Sequence, residues 1–171
     1  MEPVELFSLV KHDGPYEQWP SRTELLVERA KAGVSIPGYV IEAQYRCGPG
    51  YLLITSYDCP FEEANTFVLL GTDYSVLANT ELGVPYGSFL LYASWPVSDC
   101  ELCLHYYTRS FYTLAVCPPR GLFRRRYSLR LRDRGTGAGD ARSEASVHEL
   151  EVRLAEIRGK SEEASEDRGA G

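Results

Sequence analysis

The sequence predicts an α+β protein that is mainly β: a meandering antiparallel sheet, curled or folded into two layers, with one N-terminal helix and a tethered C-terminal helix. Short apolar segments of period two recur between residues 38 and 132, broken by turn residues at near-regular spacing. Twelve Tyr and six Phe against one Met supply strand-forming aromatics. Two capping-box patterns mark a helix on either side of the strands.

Residues 3–10 (PVELFSLV) read as a short strand, and KHDGPYEQWP after them is dense in turn residues. Ser21-Arg22-Thr23-Glu24 has capping-box spacing. Leu25, Leu26 and Ala30 can then share a helical face and Gly33 can end it, which predicts a helix over about 22–32. From Gly38 the period becomes two. Tyr39, Ile41, Ala43 and Tyr45 alternate with Val40, Glu42, Gln44 and Arg46, and after CGPG the chain returns as YLLITSYD. TFVLL and SVLAN form a second hairpin around GTDY, TELGVPYGS is a loop, and FLLYASW is a strand. ELCLHYY and FYTLAV form a third hairpin around Thr108-Arg109-Ser110. In LFRRRYSLRLR, Tyr127, Leu129 and Leu131 face one way while Arg126, Ser128, Arg130 and Arg132 face the other, as in a charged edge strand or an anion-binding stripe.

Residues 1–132 are thus expected to be a single sheet domain and 133–145 a flexible linker. Ser146-Val147-His148-Glu149 is the second capping box, and Val147, Leu150, Leu154 and Ile157 make one stripe of an amphipathic helix over 146–159. The composition of 160–171 predicts a disordered tail.

Charge and cysteine content narrow the function classes. Net charge is −6, but residues 1–119 carry −8, residues 120–135 carry +6 and residues 136–171 carry −4. An acidic body repels polyphosphate and disfavours general nucleic-acid binding, leaving Arg124, Arg125, Arg126, Arg130 and Arg132 as the only basic stripe. No secretory leader and no apolar run near the ~20 residues of a membrane helix are evident. Five cysteines, an odd number, suit a reduced compartment, so a cytoplasmic protein without a membrane partner is expected.

The densest chemistry lies in DCELCLHYYTRSFYTLAVC, residues 99–117. Cys100 and Cys103 are three residues apart, an odd step that sends strand side chains to opposite faces. With a turn at 108–110, His105 would lie opposite Thr113, Cys103 opposite Ala115 and Glu101 opposite Cys117. Leu102, Leu104, Tyr106, Tyr112, Leu114 and Val116 then form a core face. Cys103 and Cys117 would be diagonal neighbours beside His105, which makes these three the candidate metal ligands, with no fourth at a diagnostic spacing. Asp58, Glu62 and Glu63 in SYDCPFEEAN are the candidate catalytic or cation-holding carboxylates. No phosphate loop, nucleophile elbow or His-Glu-x-x-His is present, and no cofactor is implied. Tyr86, Tyr92, Trp95, Tyr107 and Phe111 are the candidate binding aromatics. The leading expectation is a non-catalytic protein-binding module, immunity-like or accessory-subunit-like, presenting an acidic, tyrosine-rich face. The alternative is a small enzyme or ligand binder built on the three loop carboxylates.

Overall fold

The computed structural model describes residues 1–57, 64–83, 89–120, 126–136 and 139–169, with side chains as far as Lys160. The protein is α+β and mainly antiparallel sheet, with one C-terminal helix. In chain order the described elements are β1 (Glu2–Pro3), β2 (Phe7–Leu9), a single 3-10 turn (Tyr16–Gln18), β3 (Arg22–Val27), β4 (Ala30–Pro37), β5 (Val40–Cys47) and β6 (Gly50–Ser56). These are followed by β7 (Ala64–Gly71), β8 (Val76–Gly83), β9 (Leu91–Pro96), β10 (Glu101–Tyr106), β11 (Phe111–Cys117), β12 (Ser128–Gly135) and α1 (Ala141–Gly169). They form a central sheet ordered β1-β5-β6-β7-β8, an outer sheet ordered β12-β11-β10-β9, and an N-terminal sheet ordered β2-β3-β4. Among the described residues no helix is long and apolar enough to cross a membrane.

The central sheet is covered on both faces. Leu52 and Ile54 of β6 and Phe67 and Leu69 of β7 pack with Leu102, Leu104, Leu114 and Val116 of the outer sheet. The residues between them, Leu53, Val68 and Leu70, pack with Phe7, Leu25 and Ile36 of the N-terminal sheet. This is why YLLITS and TFVLLG are continuously apolar: a strand buried on both sides loses the polar half of its alternation. Strand β5 switches faces. A bulge between Ile41 and Ala43 leaves Glu42 unpaired, so Ile41 joins the N-terminal core while Ala43 and Tyr45 join the outer one. The expected face with Tyr39, Ile41, Ala43 and Tyr45 all together is therefore divided.

The predicted helix over 22–32 is instead the β3–β4 hairpin. Thr23, Leu25 and Val27 are alternate residues, and Thr23 and Leu25 are fully buried. They cover the second apolar face of β6 and β7, which a helical stripe of Leu25, Leu26 and Ala30 would meet less completely. The turn between Val27 and Ala30 is Glu28-Arg29, both at positive φ (48° and 71°), as a two-residue turn of the primed type requires. Neither residue is a turn-former, which is why the hairpin has no local signature.

In the β10–β11 hairpin the observed pairs are His105 with Phe111, Cys103 with Thr113 and Glu101 with Ala115. The register is two residues from the expected one. The turn sits one residue earlier, at 107–109 instead of 108–110: Arg109 adopts a left-handed φ of 63° and donates its N–H to the Tyr106 carbonyl, while the Tyr106 N–H bonds the Ser110 carbonyl. A slip of two preserves the faces, so Leu102, Leu104, Leu114 and Val116 lie in the core as expected.

Helix α1 covers part of the other face of the outer sheet. Its cap is Asp140, not Ser146: the Asp140 carboxylate accepts the Ser143 N–H at 2.9 Å. Ser146 instead faces the sheet from within the helix, beside Val147 and the fully buried Leu150. The connection from β12 is short, residues 136–140, where the sequence suggests a linker over 133–145. Beyond Leu150 the stripe emerges, and Ile157 is 52% exposed.

Two stability tests follow from the turns. Gly50 has φ 153°, and a Cβ there would strike the Leu70 carbonyl across the sheet. Gly50→Ala is expected to cost about 2 kcal/mol or more in urea-unfolding free energy, because backbone on both sides must move. The double change Glu28→Asn, Arg29→Gly is expected to stabilise by roughly 1 kcal/mol, raising the urea midpoint at unchanged slope.

Candidate functional site

The loop between β2 and β3 folds back over one end of the sheets and brings two aromatic rings with it. Pro15 (φ −62°) leads into the 3-10 turn, the Trp19 N–H bonds to the Tyr16 carbonyl, and the Trp19 indole N–H donates to the Gly14 carbonyl at 3.2 Å. Tyr16 and Trp19 thus lie side by side, ring centres 5.4 Å apart. Tyr39 reaches them from the β4–β5 connection. Gly38 before it has φ 99°, and a Cβ there would come within 2.8 Å of the Thr55 Cβ and 2.9 Å of the Ser56 carbonyl. The backbone approach that only glycine permits sets Tyr39 in place, with its N–H on the Ser56 carbonyl at 2.7 Å.

Tyr39 is the hub of the cluster. Its ring meets Trp19 at 5.1 Å and 89°, Tyr16 at 5.7 Å and 90°, Tyr57 at 5.1 Å and 83°, and His12 at 5.4 Å and 76°. Edge-to-face pairs of this kind each add roughly 0.5–1.5 kcal/mol beyond area burial. The polar tips are tied to the protein's own chain. The Tyr39 hydroxyl donates to the Pro20 carbonyl and the Tyr57 hydroxyl to the Ser21 carbonyl, both at 3.1 Å, and His12 Nε2 lies 2.9 Å from the Thr23 hydroxyl. Burial, then the Glu81 carboxylate and Tyr39, raise the Tyr57 phenol above its ordinary range, so it stays neutral. The rings, with Val10, Lys11 and Val40, line an open cleft of about 310 Å³.

The sequence-predicted residues are placed elsewhere. Trp95 and Phe111 are buried beneath α1, at 8% and 0% exposure, so neither is presented to a partner. Tyr92 and Tyr107 are half-buried and meet each other at 5.2 Å, and the Tyr92 ring also meets His105. Tyr86, together with Asp58, Glu62 and Glu63, lies outside the described residues. Cys103 and Cys117 are separated by the two-residue register difference, since Cys103 pairs with Thr113 and Cys117 lies four residues further along β11. The buried Cys103 thiol accepts from Arg134 Nη1 at 3.6 Å; burial raises its pKa, with the guanidinium opposing. Among the described residues no group of three His, Cys, Asp or Glu side chains is placed to hold a metal ion.

His105 is a structural surprise. It is fully buried, stacked on Phe111 at 4.3 Å and 8°, with Nδ1 2.8 Å from the Ser146 hydroxyl of α1 and no partner for Nε2. Desolvation lowers its pKa below 6.5.

Set against protein-family models, curated proteins and solved structures, the chain finds no match.

The aromatic cleft was missed in the sequence because KHDGPYEQWP is recognisable only as a turn. Its one signal is a Tyr and a Trp inside a stretch dense in turn formers (Asp13, Gly14, Pro15 and Pro20). Tyr39 and Tyr57 join them only through sheet pairing.

For His105 the pH effect has a definite sign. The folded protein holds it neutral while the unfolded chain takes up a proton near pH 6.5, so its stabilising contribution is complete above that pH and is lost as pH falls through the lowered folded value. Unfolding free energy is expected to decline below pH 6.5 by up to about 1.4 kcal/mol per pH unit. His105→Gln should flatten that slope between pH 6.5 and 5. Asp73 and Asp140, held below 3.8 by Ser75 and Ser143, titrate below this window.

Proposed function

We propose that this protein is a non-catalytic binding module that receives an apolar or aromatic anchor of a protein partner in the cleft formed by His12, Tyr16, Trp19, Tyr39 and Tyr57. The observation that carries the reading is a cluster of mutually packed rings in which the polar tips of Trp19, Tyr39 and Tyr57 are bonded to backbone carbonyls and His12 to the Thr23 hydroxyl, leaving ring surface as the main contact the cleft offers. Tyr and Trp lose little conformational entropy on contact, and here their rotamers are already held by one another. Tyr16 is 42% exposed and Val40 beside the cleft 37%, so apolar surface is open at its rim. The volume, about 310 Å³, suits one or two side chains and falls at the small end of ligand pockets. The imidazole of His12, which lines the cleft, has its Nε2 engaged by Thr23. On this reading the partner surface is built from the β2–β3 loop, the β4–β5 connection and the residue that follows β6, where the sequence pointed to the β9–β11 aromatics.

Selection of a displayed random-peptide library against the protein tests the reading. Enriched peptides are expected to share an aromatic, proline or large aliphatic anchor and to shift tryptophan emission on binding. Trp19→Ala should weaken them at least tenfold, the scale of a truncated interface anchor, while Trp95→Phe, beneath α1, leaves affinity within about twofold. Peptides whose affinity is unaffected by Trp19→Ala and Tyr39→Ala would locate binding elsewhere.

A further inference from the structure

We infer that the outer sheet carries a second binding site, a compact anion site for a phosphate group, between β11 and β12 and separate from the aromatic cleft. Helix α1 covers Trp95, Cys103 and Phe111 but stops short of the rest of this sheet face. What remains is an open groove of about 750 Å³ lined by Arg130, Arg132, Arg134, Thr113, Glu101 and Asp133.

Its shape follows from the pairing. Arg132 is opposite Thr113 and Arg130 opposite Ala115, so each long cationic side chain faces a short neighbour, and the short ones form the floor. Residues two apart on a strand share a face and lie about 7 Å apart along it. Two guanidinium groups from Arg130 and Arg132 can therefore converge on one tetrahedral anion, with the Thr113 hydroxyl as a further donor from the floor.

Availability separates these arginines from a merely structural charge row. Arg134 is engaged: it bonds Asp140 at 3.3 Å and the Cys103 thiol at 3.6 Å, which ties the end of β12 to the cap of α1. Arg130 and Arg132 have no ion pair among the described residues, although the chain carries a net charge of −6. A planar fork of donors left unpaired beside a groove is the chemistry that recognises phosphate. Glu101 and Asp133 at its borders set the limit. They leave room for one compact dianion and repel an extended polyanion, so the site fits a phosphate monoester better than a nucleic-acid backbone.

The test titrates the full chain with inorganic phosphate at constant ionic strength, sodium chloride making up the balance, and reads backbone amide shifts. Saturable shifts are expected at Thr113, Ala115, Arg130 and Arg132. Arg130→Gln/Arg132→Gln should weaken binding roughly tenfold or more, the loss of charge-assisted hydrogen bonds. Arg153→Gln/Arg158→Gln, the same charge change on α1, should leave it unaltered. If the β12 double variant does not fold, Thr113→Val serves in its place, with a loss of several-fold. A phosphoserine peptide and a nucleoside monophosphate identify the source: whichever exceeds inorganic phosphate names the carrier, and equal affinities leave the phosphate group itself as the determinant. Shifts no larger than chloride produces, equal binding by the β12 and α1 double variants, or single-stranded RNA binding more tightly than phosphate with a steep salt dependence would each overturn the inference.

Discussion

The structure depends on one constraint, the burial of β6 and β7 on both faces. Seven consecutive positions of β7 from Asn65 to Gly71 are buried, and Leu52 through Thr55 of β6 are fully enclosed. A sheet with one apolar face can be satisfied by a single covering layer. This one demands two, and both extra sheets exist in the form that meets that demand. The outer sheet supplies Leu102, Leu104, Leu114 and Val116 to one side, and the N-terminal hairpins supply Phe7, Leu25 and Ile36 to the other. The same demand explains why a segment with a helix signal becomes β3 and β4. A capping box is worth on the order of 1 kcal/mol, whereas burying Leu25 and its alternate neighbours against an apolar sheet is worth several.

The outer sheet repeats the problem on a smaller scale. Its far face presents Trp95, Cys103, His105 and Phe111, and α1 covers them with Val147, Ser146 and Leu150. Arg142 over the Trp95 ring at 5.5 Å and the Arg134–Asp140 pair anchor the start of the helix. Because the helix covers only part of the face, the remainder becomes the arginine groove. Cover is also partial beside the β2–β3 loop, which leaves the aromatic cleft open. Both candidate sites are thus margins where a covering layer ends.

Legibility differed between elements for physical reasons. The β5–β6, β7–β8 and β10–β11 hairpins and the two-faced β12 were readable because period-two alternation and turn residues are local properties. Tyr127, Leu129 and Leu131 pack towards the core and Arg130 and Arg132 face outward, as the alternation implies. The β3–β4 hairpin was not readable because its turn uses Glu28 and Arg29 at positive φ, which no propensity favours. The β10–β11 register was missed by two residues for a similar reason: the left-handed Arg109 places the turn one residue earlier, at 107–109, without any glycine to announce it. That slip alone separates Cys103 from Cys117.

Local sequence, by itself, determined the class of the protein, most strand positions, the inward faces of β10–β12 and the presence of a C-terminal helix, because alternation and periodicity are written residue by residue. The tertiary structure decided which apolar faces meet. It placed His105, Trp95 and Phe111 under α1 rather than on a docking surface, and it gathered Tyr16, Trp19, Tyr39 and Tyr57, which lie as many as 41 residues apart in the chain, into one cleft. Such groupings follow from strand pairing and layer order, which are set by long-range burial and leave no mark in any short window of sequence.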